Sequence, residues 1–88
     1  MKSIARPSFW RMLNALPRGI QRQALVKYRL WLLDPGHPSL QFKQVKTTLP
    51  PLYSVRINRD YRAAGVLKGD TVTWLWIGTH AEYDRFLS

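Results

Sequence analysis

The chain changes its hydrophobic period once, at a short segment that a helix cannot cross. Residues 34–38 contain two prolines, and proline lacks the backbone N–H that would continue a helix. Before this segment apolar residues recur at helical spacing, and after it they alternate with the two-residue period of strands. The pattern therefore predicts an α+β protein in which helices come first and a sheet follows.

Residues 8–33 carry the helical period in two stretches. Apolar residues at positions 9, 12, 13 and 16 predict a first helix with one apolar stripe. Pro17 interrupts the pattern, and a second helix is predicted from about residue 19 to residue 33. Most of the arginines of this second stretch fall outside its apolar face. The two stretches predict an N-terminal helical hairpin.

The second half predicts four short strands, at residues 41–45, 53–57, 61–67 and 71–77. Turns are expected at residues 58–60 and 68–70. Residues 2–5 could add an edge strand, and residues 80–87 could form a short helix or an extended tail. We expect one domain over residues 1–88, with the hairpin on one face of a mainly antiparallel sheet of three to four strands. Trp74 and Trp76 are expected to face the same side of their strand, as core residues.

Charge is the strongest compositional signal. Fourteen lysines and arginines face five acidic residues, which gives a net charge of +9, and residues 1–33 hold seven basic residues and no acid. This balance favours a polyanionic partner such as nucleic acid over a merely solvated basic surface. An anionic membrane is a weaker alternative because the apolar helix residues are needed for the core. The absence of cysteine and of a signal-like or membrane-spanning stretch predicts a cytoplasmic protein without membrane attachment.

Five cations are candidates for binding a phosphate. Arg56, Arg59 and Arg62 cluster around one predicted turn, and the planar guanidinium suits the charge of a phosphate in a transition state. Each can equally belong to a solvated strand face. Lys43 and Lys46 could contact an RNA backbone or, with a lowered pKa, act as a base. The alternative for both lysines is an exposed edge that blocks strand addition.

His80 is the candidate for proton transfer because imidazole titrates near neutral pH, although a helix cap or surface position would also explain it. Tyr83 could stack on a base or orient a phosphate. The acidic residues do not form a recognisable ligand set with His80, and no phosphate-binding loop is present. We therefore expect neither a metal nor a cofactor.

Seven short pieces of the chain share their order and spacing with a known family: residues 6–9, 16–17, 34–35, 40–43, 53–57, 61–62 and 80–85. On these pieces, nearly the whole chain resembles the RelE/ParE superfamily of bacterial toxin–antitoxin toxins. The resemblance implies a type II toxin that acts as a metal-independent, ribosome-dependent mRNA endoribonuclease. It places a phosphate-stabilising arginine at Arg62, a second at Arg56, and the C-terminal His or Tyr of several members at His80, with Tyr83 close by.

The resemblance also implies the partners. These would be mRNA on the ribosome and a cognate antitoxin with an acidic, toxin-wrapping segment, which would offset the positive charge of this chain. Lysines occupy the neighbourhood of residue 40, where one branch of the superfamily has a glutamate base. Two alternatives remain open. One is a ParE-type inhibitor of DNA gyrase without RNase activity, and the other is a non-catalytic homologue that only binds an antitoxin.

Overall fold

The computed structural model describes all residues 1–88 as one sheet flanked by helices. The elements, in chain order, are β1 (Lys2–Ala5), α1 (Pro7–Asn14), α2 (Arg18–Leu33), a 3-10 turn (Pro38–Leu40), β2 (Lys43–Lys46), β3 (Leu52–Arg56), β4 (Tyr61–Lys68), β5 (Thr71–Thr79) and α3 (His80–Leu87). The predicted α+β class is confirmed. The predicted order of helices before sheet holds only in part, because β1 precedes α1 and α3 follows β5. No helix of the chain has both the length and the apolar character needed to cross a bilayer.

The sheet has five strands in the order β1-β5-β4-β3-β2, and it is mixed. Strands β2 to β5 pair antiparallel, whereas β1 pairs parallel to β5 at the edge. The predicted count of three to four strands was therefore too low. Residues 2–5 have little apolar pattern of their own. Backbone hydrogen bonds to the neighbouring segment hold β1 in place: the Lys2 backbone N–H donates to the Asp70 carbonyl at 2.7 Å.

Helices α1 and α2 pack on one face of the sheet, around a central tryptophan. Trp31 of α2 is only 1% exposed, and its ring centre lies 5.3 Å from that of Trp74 in β5. Phe9 and Leu13 of α1 pack against the same core. The first helix ends at Asn14, two residues before the last apolar position predicted for it. None of its residues is fully buried.

The third helix, α3, corrects the expectation that helices lie on one face only. Its Phe86 ring stacks on Trp76 of β5 at 5.0 Å, and its Tyr83 ring lies 6.0 Å from the same indole. Neither Trp76 nor Phe86 belongs to the core around Trp31. Helix α3 therefore covers part of the face opposite α1 and α2.

A β-bulge in β5 explains why Trp74 and Trp76 face opposite sides. Ala64 pairs with Trp76, but its neighbour Gly65 pairs with Trp74, so Leu75 is an additional residue in the strand. The prediction that the two tryptophans share a face was wrong, because strict alternation fails across such an insertion.

Candidate functional site

Cross-strand pairing gathers basic residues on the face of the sheet that α1 and α2 leave uncovered. Arg56 of β3 lies directly opposite Arg62 of β4, and Lys43 of β2 lies opposite Ser54 of β3. Opposed residues point to the same face, and Val55, which alternates with these positions, is in the helix-side core. We call the surface formed by Lys43, Lys46, Arg56 and Arg62 the basic face.

Lys46 reaches the basic face through a second bulge. Gln44 pairs with Tyr53 and Lys46 with Leu52, so Val45 is an additional residue in β2. In a regular strand, positions 43 and 46 would point to opposite faces. The bulge therefore brings both predicted lysines to the same side as the paired arginines.

The guanidinium of Arg62 is held between an amide and an aromatic ring. Its Nη2 donates to the Gln41 Oε1 at 3.1 Å, and its Cζ lies 5.4 Å from the centre of the Tyr83 ring. Its Nη1 is buried and has no hydrogen-bond partner. A buried unpaired donor is costly, so an incoming oxyanion would gain a strong charge-assisted hydrogen bond here.

The basic face has no internal counter-charge. The chain has two ion pairs at 4.0 Å or less, Arg59 with Asp60 and His80 with Asp84, and neither includes Arg56 or Arg62. Two guanidinium groups opposite each other on one face repel unless an anion lies between them. The electrostatics therefore favour a bound phosphate or carboxylate.

A capping box sets the start of α3, which supplies the remaining candidate residues. The Thr79 hydroxyl accepts from the Glu82 backbone N–H at 3.2 Å, and the Glu82 carboxylate accepts from the Thr79 backbone N–H at 2.9 Å. The backbone and side-chain hydrogen bonds from Thr79, with help from Arg85, lower the pKa of Glu82 below its usual 4.5. Glu82 therefore stabilises the start of α3 and is not part of the basic face.

His80 begins α3 beside two side chains of the same helix. Its Nδ1 lies 3.5 Å from the Asp84 Oδ2, and its ring meets the Tyr83 ring edge-on with centres 5.9 Å apart. The imidazole side chain is half exposed. Contact through Nδ1 leaves Nε2 for a substrate, and Asp84 can orient the ring for proton transfer.

Tyr83 lies at the centre of the arrangement rather than at its surface. The residue is 6% exposed, and Arg62, His80 and Trp76 all contact its ring. The expectation that Tyr83 stacks on a base is therefore corrected, because its faces are already occupied. Its hydroxyl can both donate and accept, and it is the part of the side chain suited to contact with a phosphate.

Arg59 is the one predicted phosphate ligand that lies apart from the others. It is at the turn between β3 and β4, its side chain is 89% exposed, and its ion-pair partner is Asp60, at 4.0 Å. The structure thus brings Lys43, Lys46, Arg56 and Arg62 to one face with α3 beside them, and it places Arg59 at the rim.

Two residues of the site could not be found from the sequence. Gln41 reaches Arg62 from a left-handed backbone conformation, with φ of 46°, after the 3-10 turn. Ser54 is fully buried on the basic face with an unpartnered Oγ. The alternation of β3 did assign Ser54 to the side of Arg56, but a serine there carries no signal of its own. No cluster of three or more histidine or acidic side chains is close enough to hold a metal ion.

The chain has the fold of the RelE/ParE toxins. The toxin of a RelB–RelE complex from Methanococcus jannaschii superposes with a TM-score of 0.73 at 19% identity, over 94% of this chain and 98% of that one. An archaeal RelE from a RelE–RelB complex of Pyrococcus horikoshii gives 0.70 at 17% identity, over 89% and 92%. A YoeB/ParE toxin from Agrobacterium tumefaciens gives 0.69 at 15% identity, over 91% and 99%. No protein-family model and no curated protein sequence matches the chain.

Proposed function

We propose that this chain is the toxin of a toxin–antitoxin pair and that it cleaves mRNA on the ribosome. The observation that carries the proposal is the pairing of Arg56 with Arg62 on one face, with an unpartnered Nη1 on Arg62 beside the His80–Tyr83 pair. A structural arginine pair would be expected to have carboxylate partners, and this one has none. The superfamily resemblance supports the choice of RNA as the anion.

The proposed reaction is an internal transfer of the phosphate. The ribose 2′-OH attacks the adjacent phosphorus, the P–O2′ bond forms and the P–O5′ bond breaks. The 2′-OH proton passes to a general base, and the departing 5′ oxygen receives a proton from a general acid. The products are a 2′,3′-cyclic phosphate and a 5′-hydroxyl end.

The residues divide these tasks. Arg62 and Arg56 stabilise the charge that develops on the phosphate oxygens. His80 supplies or accepts a proton, with Asp84 orienting its ring. Lys43 and Lys46 bind the RNA backbone or assist the base, and Arg59 can add a contact at the rim. Tyr83 positions both Arg62 and His80, since its ring contacts each of them.

An antitoxin is the second proposed partner. Two of the similar structures are toxins in complex with their RelB antitoxins. A net charge of +9 would favour an acidic segment wrapped around this chain. Binding of such a segment across the basic face would both prevent RNA binding and lower the electrostatic self-repulsion of the toxin.

The test is expression of the chain in bacteria, with mapping of mRNA ends and of DNA breaks in the same cells. We expect cuts in phase with codons that disappear in Arg62→Ala and His80→Ala and persist in Arg11→Ala, an exposed arginine of α1. Cuts on isolated ribosomes with a defined message would establish ribosome dependence.

Double-strand DNA breaks with intact mRNA would refute the RNase and support the gyrase alternative. Normal growth with both nucleic acids intact would leave only the antitoxin-binding homologue.

A further inference from the structure

A second basic surface lies at the edge of the fold, between α2 and the turn that joins β3 to β4. It is a shallow depression of about 670 Å³ with ten lining residues. Four of them are cations, Arg22, Lys27, Arg56 and Arg59, and none is acidic. We call this surface the side depression. Its charge makes it a site for an anion.

Hydrogen bonds to uncharged side chains hold part of the walls of the side depression. The Lys27 Nζ donates to the Ser39 Oγ at 3.2 Å, and that hydroxyl lies 2.9 Å from the His37 Nδ1. On the other wall the Asn58 Nδ2 donates to the Gln23 Oε1 at 2.6 Å and ties the β3–β4 turn to α2. Lys27 and the β3–β4 turn are therefore held in place before a ligand arrives, which lowers the entropic cost of binding.

The positive charges of the side depression have no buried acidic partner. Arg22, Lys27 and Arg56 have no carboxylate within 4.0 Å, and Arg59 has only the exposed contact with Asp60. Close unpaired cations repel, and an anion bound among them would relieve that repulsion.

Arg56 belongs to both basic surfaces of the chain. It pairs with Arg62 on the basic face, and it also lines the side depression. The two basic surfaces therefore meet at Arg56. Two adjoining basic surfaces fit a ligand with repeated negative charges better than a single small anion.

We propose that the side depression binds a backbone phosphate of the same RNA strand whose scissile phosphate lies at Arg62. The identity of the ligand as RNA rests on the proposed function. An acidic polypeptide is the competing occupant, but only two of the ten lining residues are hydrophobic. Peptide interfaces rely on buried apolar and aromatic anchors, which this surface lacks, whereas phosphate contacts need only donors and charge.

The test is the affinity of the full chain for single-stranded 2′-O-methyl RNA, which keeps every phosphate and cannot be cleaved by its own 2′ oxygen. Fluorescent oligomers of three and twelve nucleotides are measured by anisotropy over a range of salt. The test variant is Arg22→Gln with Lys27→Gln. The matched control is Arg11→Gln with Arg29→Gln, which removes the same charge from exposed helix positions outside the depression.

We expect the test variant to weaken binding of the twelve-nucleotide oligomer at least tenfold and the control variant to change it less than twofold. The salt slope of the test variant should fall by about 0.7 for each phosphate that it no longer neutralises. Binding of the three-nucleotide oligomer should weaken less, because it presents fewer phosphates than the twelve-nucleotide oligomer. Thermal unfolding of each variant verifies folding, and the two single substitutions replace the double variant if it does not fold.

Equal weakening by the test and control variants would overturn the proposal, since binding would then depend on net charge alone. Unchanged affinity in the test variant would also overturn it. Reduced affinity for poly-glutamate with unchanged affinity for RNA would assign the depression to an acidic polypeptide. Failure of the proposed function would give a different result. The wild-type chain would then leave mRNA intact in cells, while its affinity for RNA would still depend on Arg22 and Lys27. That result would support the RNA-binding site and refute the cleavage.

Discussion

Arg62 divides its guanidinium among three environments: the Gln41 amide, the Tyr83 ring and a buried position without a partner. A lysine at this position would keep the charge but lose the planar fork that makes these contacts together. The contacts around Arg62 therefore depend on the shape of the guanidinium as well as on its charge.

At this residue we predict that Arg62→Lys lowers RNA cleavage by about 10²–10³-fold, as for the removal of one oxyanion donor. Single-turnover cleavage of a defined message on ribosomes measures the effect, and circular dichroism verifies the fold. Arg29→Lys, an exposed substitution on α2, should be neutral. Wild-type cleavage by Arg62→Lys would show that charge alone suffices.

Gly65 is a residue whose replacement should affect stability. A Cβ at this position would lie 2.7 Å from the Thr73 carbonyl oxygen, which is backbone and cannot rotate away. We predict that Gly65→Ala lowers the free energy of unfolding by about 1–3 kcal/mol. Gly36→Ala is the control, because the nearest atom there is 3.7 Å away. Urea unfolding compares the two variants, and equal midpoints would contradict the prediction.

Among the elements, α3 connects stability to the candidate site. Thr79 ends β5 and caps α3, and α3 supplies His80 and Tyr83. Loss of the cap should therefore loosen both His80, the candidate for proton transfer, and the Tyr83 ring that contacts Arg62. The strand end and the helix start behave as one structural unit.

We predict that Thr79→Ala lowers the free energy of unfolding by about 0.5–2 kcal/mol, the usual cost of removing an N-cap. The pKa of Glu82 is lowered in the folded chain, so its contribution is present above about pH 4.5 and is lost as pH falls through the folded-state pKa. Urea unfolding as a function of pH should show this loss in wild type and not in Glu82→Gln. An equal acid dependence in both would contradict the role of the cap.

The same elements show what the sequence could predict. The alternation of Val55 and Ile57 correctly placed Arg56 on the opposite face. When one face of a strand is buried, the direction of every side chain along that strand is determined. The bulges at Val45 and Leu75 had no local signal, since an inserted residue is set by the pairing of two distant segments. Those bulges decide that Lys46 joins the basic face and that Trp76 leaves the core.

On the scale of the whole molecule, charge opposes the compact state. A net charge of +9 on 88 residues is spread over a chain with only two ion pairs. Self-repulsion of this kind destabilises the folded form until salt or a polyanion screens it.

We predict that the midpoint of thermal unfolding rises between about 0.01 M and 0.15 M NaCl, as the Debye length falls from about 30 Å to about 8 Å. In a variant with Lys2, Arg11 and Arg29 each changed to Glu, each substitution lowers the net charge by two, so the net charge falls from +9 to +3. Its midpoint should depend less on salt. A midpoint that is flat or falls with salt in wild type would refute the prediction.

The parallel pairing of β1 with β5 has a consequence for the timing of folding. Residues 2–5 pair with residues 71–74, and α3 follows directly after β5. Contacts between such distant segments form late because the intervening chain must be ordered first. The sheet and its α3 cover can therefore be completed only after residues 71–87 have been synthesised. A nascent chain that stops short of residue 71 lacks both the strand that holds β1 and the helix that carries His80.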